Sequence, residues 1–98
     1  MNVTVLNGAQ SDLSDAQQWY NAQESGLGDK FTNAAQAAIN DLLRDPESWP
    51  IIEDEIRRHP VDSFPFDILF AVENNDIDVV AVADQRRRPG YWKDRIQE

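Results

Sequence analysis

Residues 64–84 read FPFDILFAVENNDIDVVAVAD, and the rest of the chain is interpreted around them. In the first half of this stretch every second residue is apolar, as in a β-strand with one buried face: Phe64, Phe66, Ile68, Phe70 and Val72. The second half repeats the alternation, so one shared face is expected for Ile77, Val79, Ala81 and Ala83. Residues 73–76 between them supply a turn, because asparagine tolerates a positive φ. The stretch therefore predicts a β-hairpin, which needs further strands and a helical layer for stability.

Upstream of the hairpin, the chain predicts a short strand followed by an amphipathic helix. Residues 2–6 read NVTVL, with Val3 and Val5 on one face. Asn7 is expected to cap the helix, with Gln10 completing a capping box. Apolar residues recur at helical spacing and predict an amphipathic helix that extends to about Gln23: Ala9, Leu13, Ala16 and Tyr20.

A second helix is predicted over residues 29–44. Gly26 suits a left-handed cap before it. Pro46 marks the end of the helix, because the residue before a proline disfavours the helical conformation. The apolar stripe of this helix consists of Phe31, Ala35, Ala38 and Leu42. Two helices joined by so short a loop are expected to form an αα-hairpin.

After a tight turn over residues 47–50 with Trp49 tucked inward, residues 56–61 are predicted to form a strand. Pro60 lacks an N–H, so this strand is expected at an edge or a bulge. The order is then strand, two helices and three strands. It predicts one α+β domain over residues 1–98: a mostly antiparallel sheet with the αα-hairpin packed on one face.

The composition excludes several classes of site. The chain has no cysteine and a single histidine, which excludes disulfides, thiolate catalysis and cysteine-type zinc centres. No apolar run reaches the roughly 20 residues of a membrane span, and the N-terminus lacks the pattern of a signal peptide. We therefore expect a cytoplasmic protein without membrane association, and neither a cofactor nor a metal ion is predicted.

Two candidate sites are weak on residue type alone. The acidic run Glu53, Asp54 and Glu55 is interpreted as a solvated loop rather than a cation site, because consecutive side chains of an extended segment point alternately. His59 could act as a general base. A surface histidine on an edge strand is the favoured interpretation, since its sequence neighbours offer no obvious partner.

The charge of −9 is distributed unevenly. Residues 1–56 hold ten acidic and two basic side chains, whereas residues 57–98 hold eight acidic and seven basic ones. This acidity argues against strong direct nucleic-acid binding, which depends on neutralising phosphates. A local basic face stays compatible with the sequence.

Arg86, Arg87 and Arg88 directly follow the last predicted strand. Guanidinium groups placed there could bind phosphates or carboxylates bidentately; equally, they could neutralise the acidic surface. The aromatic pairs at residues 19–20 and 91–92 are interpreted as core and lid packing rather than as stacking platforms.

Several motifs together resemble the ParE branch of the ParE/RelE toxin superfamily. They are DLSDAQQWYNAQESGLGDKF, DPESWP, IRRH, FPF and ADQRRRPGYWKDR, and they follow one another along nearly the whole chain. The resemblance implies the RelE/ParE-like fold and the toxin half of a type II toxin–antitoxin pair. It implies inhibition by binding DNA gyrase rather than catalysis, and neutralisation by a ParD-like ribbon-helix-helix antitoxin.

The resemblance also indicates candidate residues. Those for target binding are Arg57, Arg58, Arg86, Arg87, Arg88, Trp92 and Arg95. Trp19 and Tyr20 are the candidates for antitoxin binding.

Two alternatives stay open. A RelE-like ribosome-dependent mRNA endoribonuclease would use Arg57, Arg58 and Arg86 on the phosphate, with Tyr91 or His59 near the reacting atoms. This alternative is less favoured, because the second-strand region lacks lysine and the tail reads Pro-Gly-Tyr-Trp in the ParE manner. The second alternative is a non-toxic family member that binds an antitoxin, which fits the acidic composition and the Asp84 found where relatives often have histidine.

Overall fold

The computed structural model describes residues 1–96, with side chains through Asp94. In chain order the elements are β1 (Val3–Val5), α1 (Asn7–Gln23), α2 (Leu27–Asp41), a 3-10 helix (Pro46–Ser48), β2 (Ile51–Glu53), β3 (Ile56–Pro60), β4 (Phe66–Glu73), β5 (Asp76–Asp84) and α3 (Lys93–Ile96). The sheet order is β1-β5-β4-β3-β2. β1 runs parallel to β5, and the other three pairs are antiparallel.

The predicted α+β class, with a mostly antiparallel sheet and two packed helices, is confirmed. The structure adds one strand to the predicted order, the short β2, which pairs with β3. β2 pairs only with the first part of β3, whereas Pro60 is the last residue of β3. On that side no strand pairs with Pro60, so its missing N–H leaves no hydrogen bond unmade. Within the described residues, no helix is both long and apolar enough to cross a bilayer.

The helix boundaries differ from the prediction at two ends. Leu6 still donates its N–H to Val79 of β5, so extended backbone lasts until Leu6 and α1 begins at Asn7. The predicted cap by Asn7 is therefore wrong, and the side chain of Gln10 binds the Val5 carbonyl instead, at 2.8 Å. Residues 42–44, expected in α2, form tighter turns with bonds to the third preceding residue.

The turns at the other ends match their sequence. Gly26 has a φ of 87°, the left-handed conformation expected of it, and turns the chain into α2. In the β4–β5 turn, Asn74 and Asn75 have φ values of 53° and 65°. Two positive φ values in succession are typical of a type I′ hairpin turn, whose twist matches that of the strands.

Gly28 allows the two helices to approach closely. A Cβ atom at this position would lie 2.1 Å from the Gln17 carbonyl oxygen, far inside van der Waals contact. The Gly28 N–H also donates to the side chain of Asn21 at 2.8 Å. Any larger residue here would push α2 away from α1.

A β-bulge in β5 divides the hairpin into two differently facing halves. Leu69 pairs with Ala81 while Phe70 pairs with Val79, so Val80 has no opposite residue. An extra residue reverses the alternation of the strand. The predicted single face of β5 is therefore wrong beyond Val79: Ala81 and Ala83 lie on the face away from the helices, and Val82 joins Val79 in the core.

The main core lies between the helices and one face of the sheet. Phe31 and Ala35 of α2 are fully buried there, as are Leu42 in the turn that follows α2 and Ala9 of α1. Aromatic rings close one end of this core, with the Phe31 and Phe66 centroids 4.9 Å apart in an edge-to-face arrangement, which is favourable beyond the buried area.

A second, smaller core covers part of the opposite face. Trp92 packs there, 7% exposed, in a buried cluster with Ile56, Leu69, Ala81 and Ala83. The C-terminal segment thus crosses the sheet face away from the helices. This position agrees with the interpretation of residues 91–92 as core and lid packing.

His59 is not the surface residue that the sequence suggested. It is 8% exposed, because it faces α2, and its Nε2 lies 2.9 Å from Asp41 Oδ2. Its Nδ1 lies 2.6 Å from the Pro60 carbonyl oxygen, and its ring packs on Trp49 at a centroid distance of 4.0 Å. The hydrogen bond from His59 lowers the pKa of the Asp41 carboxyl, and the pair joins β3 to the end of α2.

Leu42 and Leu43, which directly follow α2, provide a matched test of the core. Leu42→Ala is expected to lower the free energy of unfolding by about 2–5 kcal/mol, because it leaves a cavity in the main core. Leu43 is 47% exposed, so Leu43→Ala should stay within about 0.5 kcal/mol of the parent. Urea denaturation followed by circular dichroism measures both. Equal losses of unfolding free energy for the two variants would contradict the burial of Leu42 and the exposure of Leu43.

Candidate functional site

Asp84 organises the arginine run where β5 ends. Arg86 donates from Nε to Asp84 Oδ1 at 2.9 Å and from Nη2 to Oδ2 at 3.1 Å. The Arg86 backbone N–H also donates to Oδ1 at 2.9 Å. These hydrogen bonds hold the pKa of Asp84 below its usual value and raise that of Arg86. The guanidinium is thus fixed in place while its side chain stays 52% exposed.

Arg86 lies beside one aromatic side chain of α1 and one of β4. Its guanidinium carbon is 5.7 Å from the ring centre of Trp19 and 5.9 Å from that of Phe66, within cation–π distance. Trp19 is 51% exposed, whereas Tyr20 is 7% exposed and packs 5.5 Å from Phe31. Of the two predicted antitoxin contacts, Trp19 is therefore the one with about half of its surface exposed to a partner.

A groove of about 400 Å³ runs between α1 and this arginine. We call it the Arg86 groove; its lining includes Asp12, Asp15, Trp19, Tyr20, Arg86, Arg87 and Tyr91. Asp12 also ties α1 to the sheet, because its Oδ2 accepts the Val82 N–H at 2.9 Å. The structure thus brings predicted target-binding and antitoxin-binding residues to one surface.

Arg87 and Tyr91 form the next part of the site. The Arg87 guanidinium carbon stacks 3.9 Å from the centre of the Tyr91 ring. The Tyr91 hydroxyl accepts the backbone N–H of Asp84 at 2.9 Å. Asp84 is therefore bound twice, through its side chain to Arg86 and through its main chain to Tyr91, and the tail is fixed against the end of β5.

A second groove, of about 380 Å³, lies on the sheet face away from the helices. We call it the Arg58 groove; its lining includes Glu53, Arg58, Asp67, Asp84, Arg87, Arg88 and Tyr91. Arg58 Nη1 is 4.0 Å from Asp67 Oδ2. Asp67 is itself buried and accepts from Gln85 Nε2 at 2.9 Å. Carboxylates thus lie among the guanidinium groups of this groove.

The remaining predicted residues are placed differently. Arg57 Nη1 donates to the carbonyl oxygens of Glu47 and Trp49 at 2.8 and 2.7 Å, so it braces the loop before β2. Trp92 is buried in the second core at 7% exposure, so little of its ring is left for a target to contact. Arg88 is exposed, and the side chain of Arg95 lies outside the described residues.

The other chemical candidates do not join these grooves. His59 faces α2 while Arg58 faces the opposite side of the sheet, since neighbouring strand residues alternate. Across residues 1–96, no three histidine or carboxylate side chains come together in a way that could hold a metal ion. Asp84, Asp67 and Gln85 were missed as site residues. A carboxylate two residues before an arginine was the signal available for Asp84.

Comparisons with known proteins identify the family. A sequence profile described as "ParE toxin of type II toxin-antitoxin system, parDE" matches residues 3–89. The chain belongs to this ParE toxin family. No curated protein matches it at a significant level. A solved chain described as "Chromosomal ParDE TA system from P. aeruginosa" shares the fold, with a TM-score of 0.78 at 16% identity over 86% of this chain and 95% of that chain.

The ParE match includes both helices, the sheet and the whole arginine run. It ends at Pro89, so Tyr91 and Trp92, which close the Arg58 groove and the second core, follow the matched region. The family resemblance inferred from the sequence is confirmed, and with it the ParE toxin fold.

Asp84→Asn tests the carboxylate that organises the ParE arginine run. The variant is expected to lose about 1 kcal/mol of unfolding free energy at neutral pH, because a charge-assisted pair at a half-exposed site is replaced by a neutral one. The folded-state pKa of Asp84 lies below the unfolded value of about 3.9. The stabilisation is therefore present above that pH and is lost as the pH falls through the folded pKa.

Urea denaturation at neutral pH and at about pH 3 measures this loss. The difference between parent and variant should shrink in acid. Asp62→Asn, at an exposed loop position, serves as the control and should show little difference at either pH. A loss for Asp84→Asn of the same size at both pH values would contradict the ionic origin.

Proposed function

We propose that this chain, acting as one toxin domain in the bacterial cytoplasm, inhibits DNA gyrase by binding it and is neutralised by a ParD-like ribbon-helix-helix antitoxin. Membership of the ParE family supports the toxin role. The observation that carries the binding mechanism is the 5.7 Å contact between the fixed Arg86 and the exposed Trp19.

Arg86 and Trp19 have the properties of an interface anchor. Tryptophan and arginine are enriched among the residues that dominate binding energy at protein interfaces. Arg86 is held in its bound geometry by Asp84, so little side-chain entropy is lost when a partner contacts it. Arg87 is likewise pre-positioned on Tyr91.

The same groove suits an antitoxin segment. A disordered peptide that folds on the toxin could place an apolar side chain against Trp19 and a carboxylate near Arg86 or Arg87, a mode suited to wrapping a small domain. A segment seated there would cover the guanidinium groups offered to the target. Antitoxin and target would then exclude each other by occupying one surface.

Replacing Arg86, Arg87 and Arg88 together by alanine tests the target-binding role. The triple variant, expressed without its antitoxin in a bacterial host, is expected to lose growth inhibition, because the guanidinium groups of the Arg86 groove are gone. Plating efficiency after induction measures the effect, and a gyrase supercoiling assay with purified protein measures the target directly.

Arg44→Ala is the matched control, since the side chain of Arg44 is 86% exposed and far along the chain from the groove. It should inhibit growth as the parent does. Full growth inhibition by the soluble triple variant would rule out the proposed role of the arginine run. Normal growth with the parent chain itself would favour a non-toxic antitoxin-binding protein.

One observation favours the endoribonuclease as the second candidate. Arg58, Arg87 and Tyr91 line the same groove, as do Arg88 and Lys93, so a phosphate there would meet four basic side chains and a phenol. Glu53, Asp67 and Asp84 line it as well, and their negative charge opposes an anionic substrate. The Tyr91 hydroxyl is also engaged by the Asp84 N–H. Binding without covalent chemistry is thus the better supported mechanism.

Tyr91→Phe separates the two candidates. It removes the acceptor of the Asp84 N–H and is expected to cost about 1–2 kcal/mol of stability. Under the binding mechanism it should keep its growth inhibition, because Arg86 and Trp19 stay in place. Loss of mRNA cleavage in a ribosome assay, together with loss of toxicity at unchanged soluble expression, would establish the nuclease instead.

A further inference from the structure

The acidic run at residues 53–55 does not simply point into solvent. Asp54 has a φ of 50° at the tight turn between β2 and β3, and this turn stands beside the sheet face away from the helices. Across that face lie Glu73 and Asp78 of the β4–β5 hairpin. The space between the two sets of carboxylates is a groove of about 830 Å³.

The floor of this groove is apolar. Ile56, Ala71, Val80 and Trp92 form it, while Glu53, Asp54, Glu55, Glu73 and Asp78 form its rim. We call it the acidic groove. The bulge residue Val80 and its neighbour Ala71 are half-buried, so both offer apolar surface to an occupant.

The charge of the acidic groove is strongly negative. Among the described residues that line it, Lys93 is the one basic side chain, and its Nζ is bound to Glu53 Oε1 at 2.9 Å. Four further carboxylates of the rim face the same space. The carboxylates do not converge as metal ligands must, since no group of three in the described part of the chain could hold an ion.

We propose that the acidic groove binds a cationic amphipathic segment of a protein partner. Apolar side chains of that segment would rest on Val80 and Ala71, and its lysines or arginines would face the two acidic rims. The Arg86 groove combines Arg86 and Arg87 with Asp12, Asp15 and Asp84, so its mixed charge would select a different segment. The inference therefore stands whether or not the proposed gyrase inhibition holds.

A second copy of this chain fits the groove less well. The densest group of its basic side chains, three of nine, stands in the run QRRRPG at residues 85–90, which interleaves no apolar side chain with its arginines. The required alternation of cationic and apolar residues thus points to another protein.

The test uses the full chain and a short fluorescein-labelled peptide of alternating lysine and leucine. Amide shifts of the isotope-labelled protein on titration locate the peptide, and anisotropy gives its affinity. We expect the shifts to concentrate at Ala71, Asp78 and Val80. A peptide with serine in place of leucine should bind much more weakly, since it cannot use the apolar floor.

Charge reversal supplies the matched variants. Glu73→Lys with Asp78→Lys is expected to weaken peptide binding about tenfold, because two attractions become repulsions. Glu24→Lys with Glu47→Lys changes the net charge equally at exposed positions outside the groove and should have little effect. Circular dichroism verifies that each variant is folded, and shift mapping on the parent does not depend on any variant.

Three results would overturn the proposal. The first is amide shifts on α1 and α2 instead of the acidic groove. The second is an equal loss of peptide affinity in both charge-reversal variants, and the third is equal affinity for the leucine and serine peptides. A concentration-dependent dimer in sedimentation that disappears in Glu73→Lys with Asp78→Lys would assign the groove to a second copy.

Discussion

The structure depends on the β-bulge at Val80, because it lets one hairpin bury apolar residues on both faces of the sheet. Before the bulge, Ile77 and Val79 face the helices, and after it Ala81 and Ala83 face the opposite side. Small side chains there leave room for Trp92, whose indole could not pack so closely against bulkier residues. The tail that carries the arginines is therefore fixed to the sheet by packing as well as by hydrogen bonds.

Much of the fold could be predicted from the sequence, because its strongest periodic patterns coincide with its buried faces. The asparagine turn, the two helices and the β4 face built on Ile68 and Phe70 were all expected. β2 was missed because its residues, IIE, show no alternation of apolar and polar side chains, unlike the equally short β1. The bulge was missed because apolar residues occupy both odd-numbered and even-numbered positions of β5. The sequence pattern therefore does not show where the strand changes the face that each alternate residue occupies.

The candidate site was predictable in composition but not in geometry. Three arginines after the last strand are visible in the sequence, yet their orientation depends on contacts distant along the chain. Trp19 of α1 approaches Arg86 at the surface of the groove, and the Arg57 guanidinium instead donates to carbonyl groups of the preceding loop. His59 was misjudged because its partner Asp41 is eighteen residues away. Sequence neighbours carry no information about partners of that kind.

The net charge of −9 conceals a division between a surface of mixed charge and a predominantly acidic one. Arginines follow the end of β5, whereas the acidic turn at residues 53–55 and the hairpin carboxylates border the face behind it. Complementary charge guides the encounter of proteins and rejects wrong partners more than it adds affinity. A mixed surface of this kind suits protein partners, since a nucleic acid attracted to the arginines would meet repulsion from the carboxylates nearby. The charge distribution therefore agrees with the Arg86–Trp19 contact in favouring recognition of folded or folding proteins over recognition of a phosphate backbone.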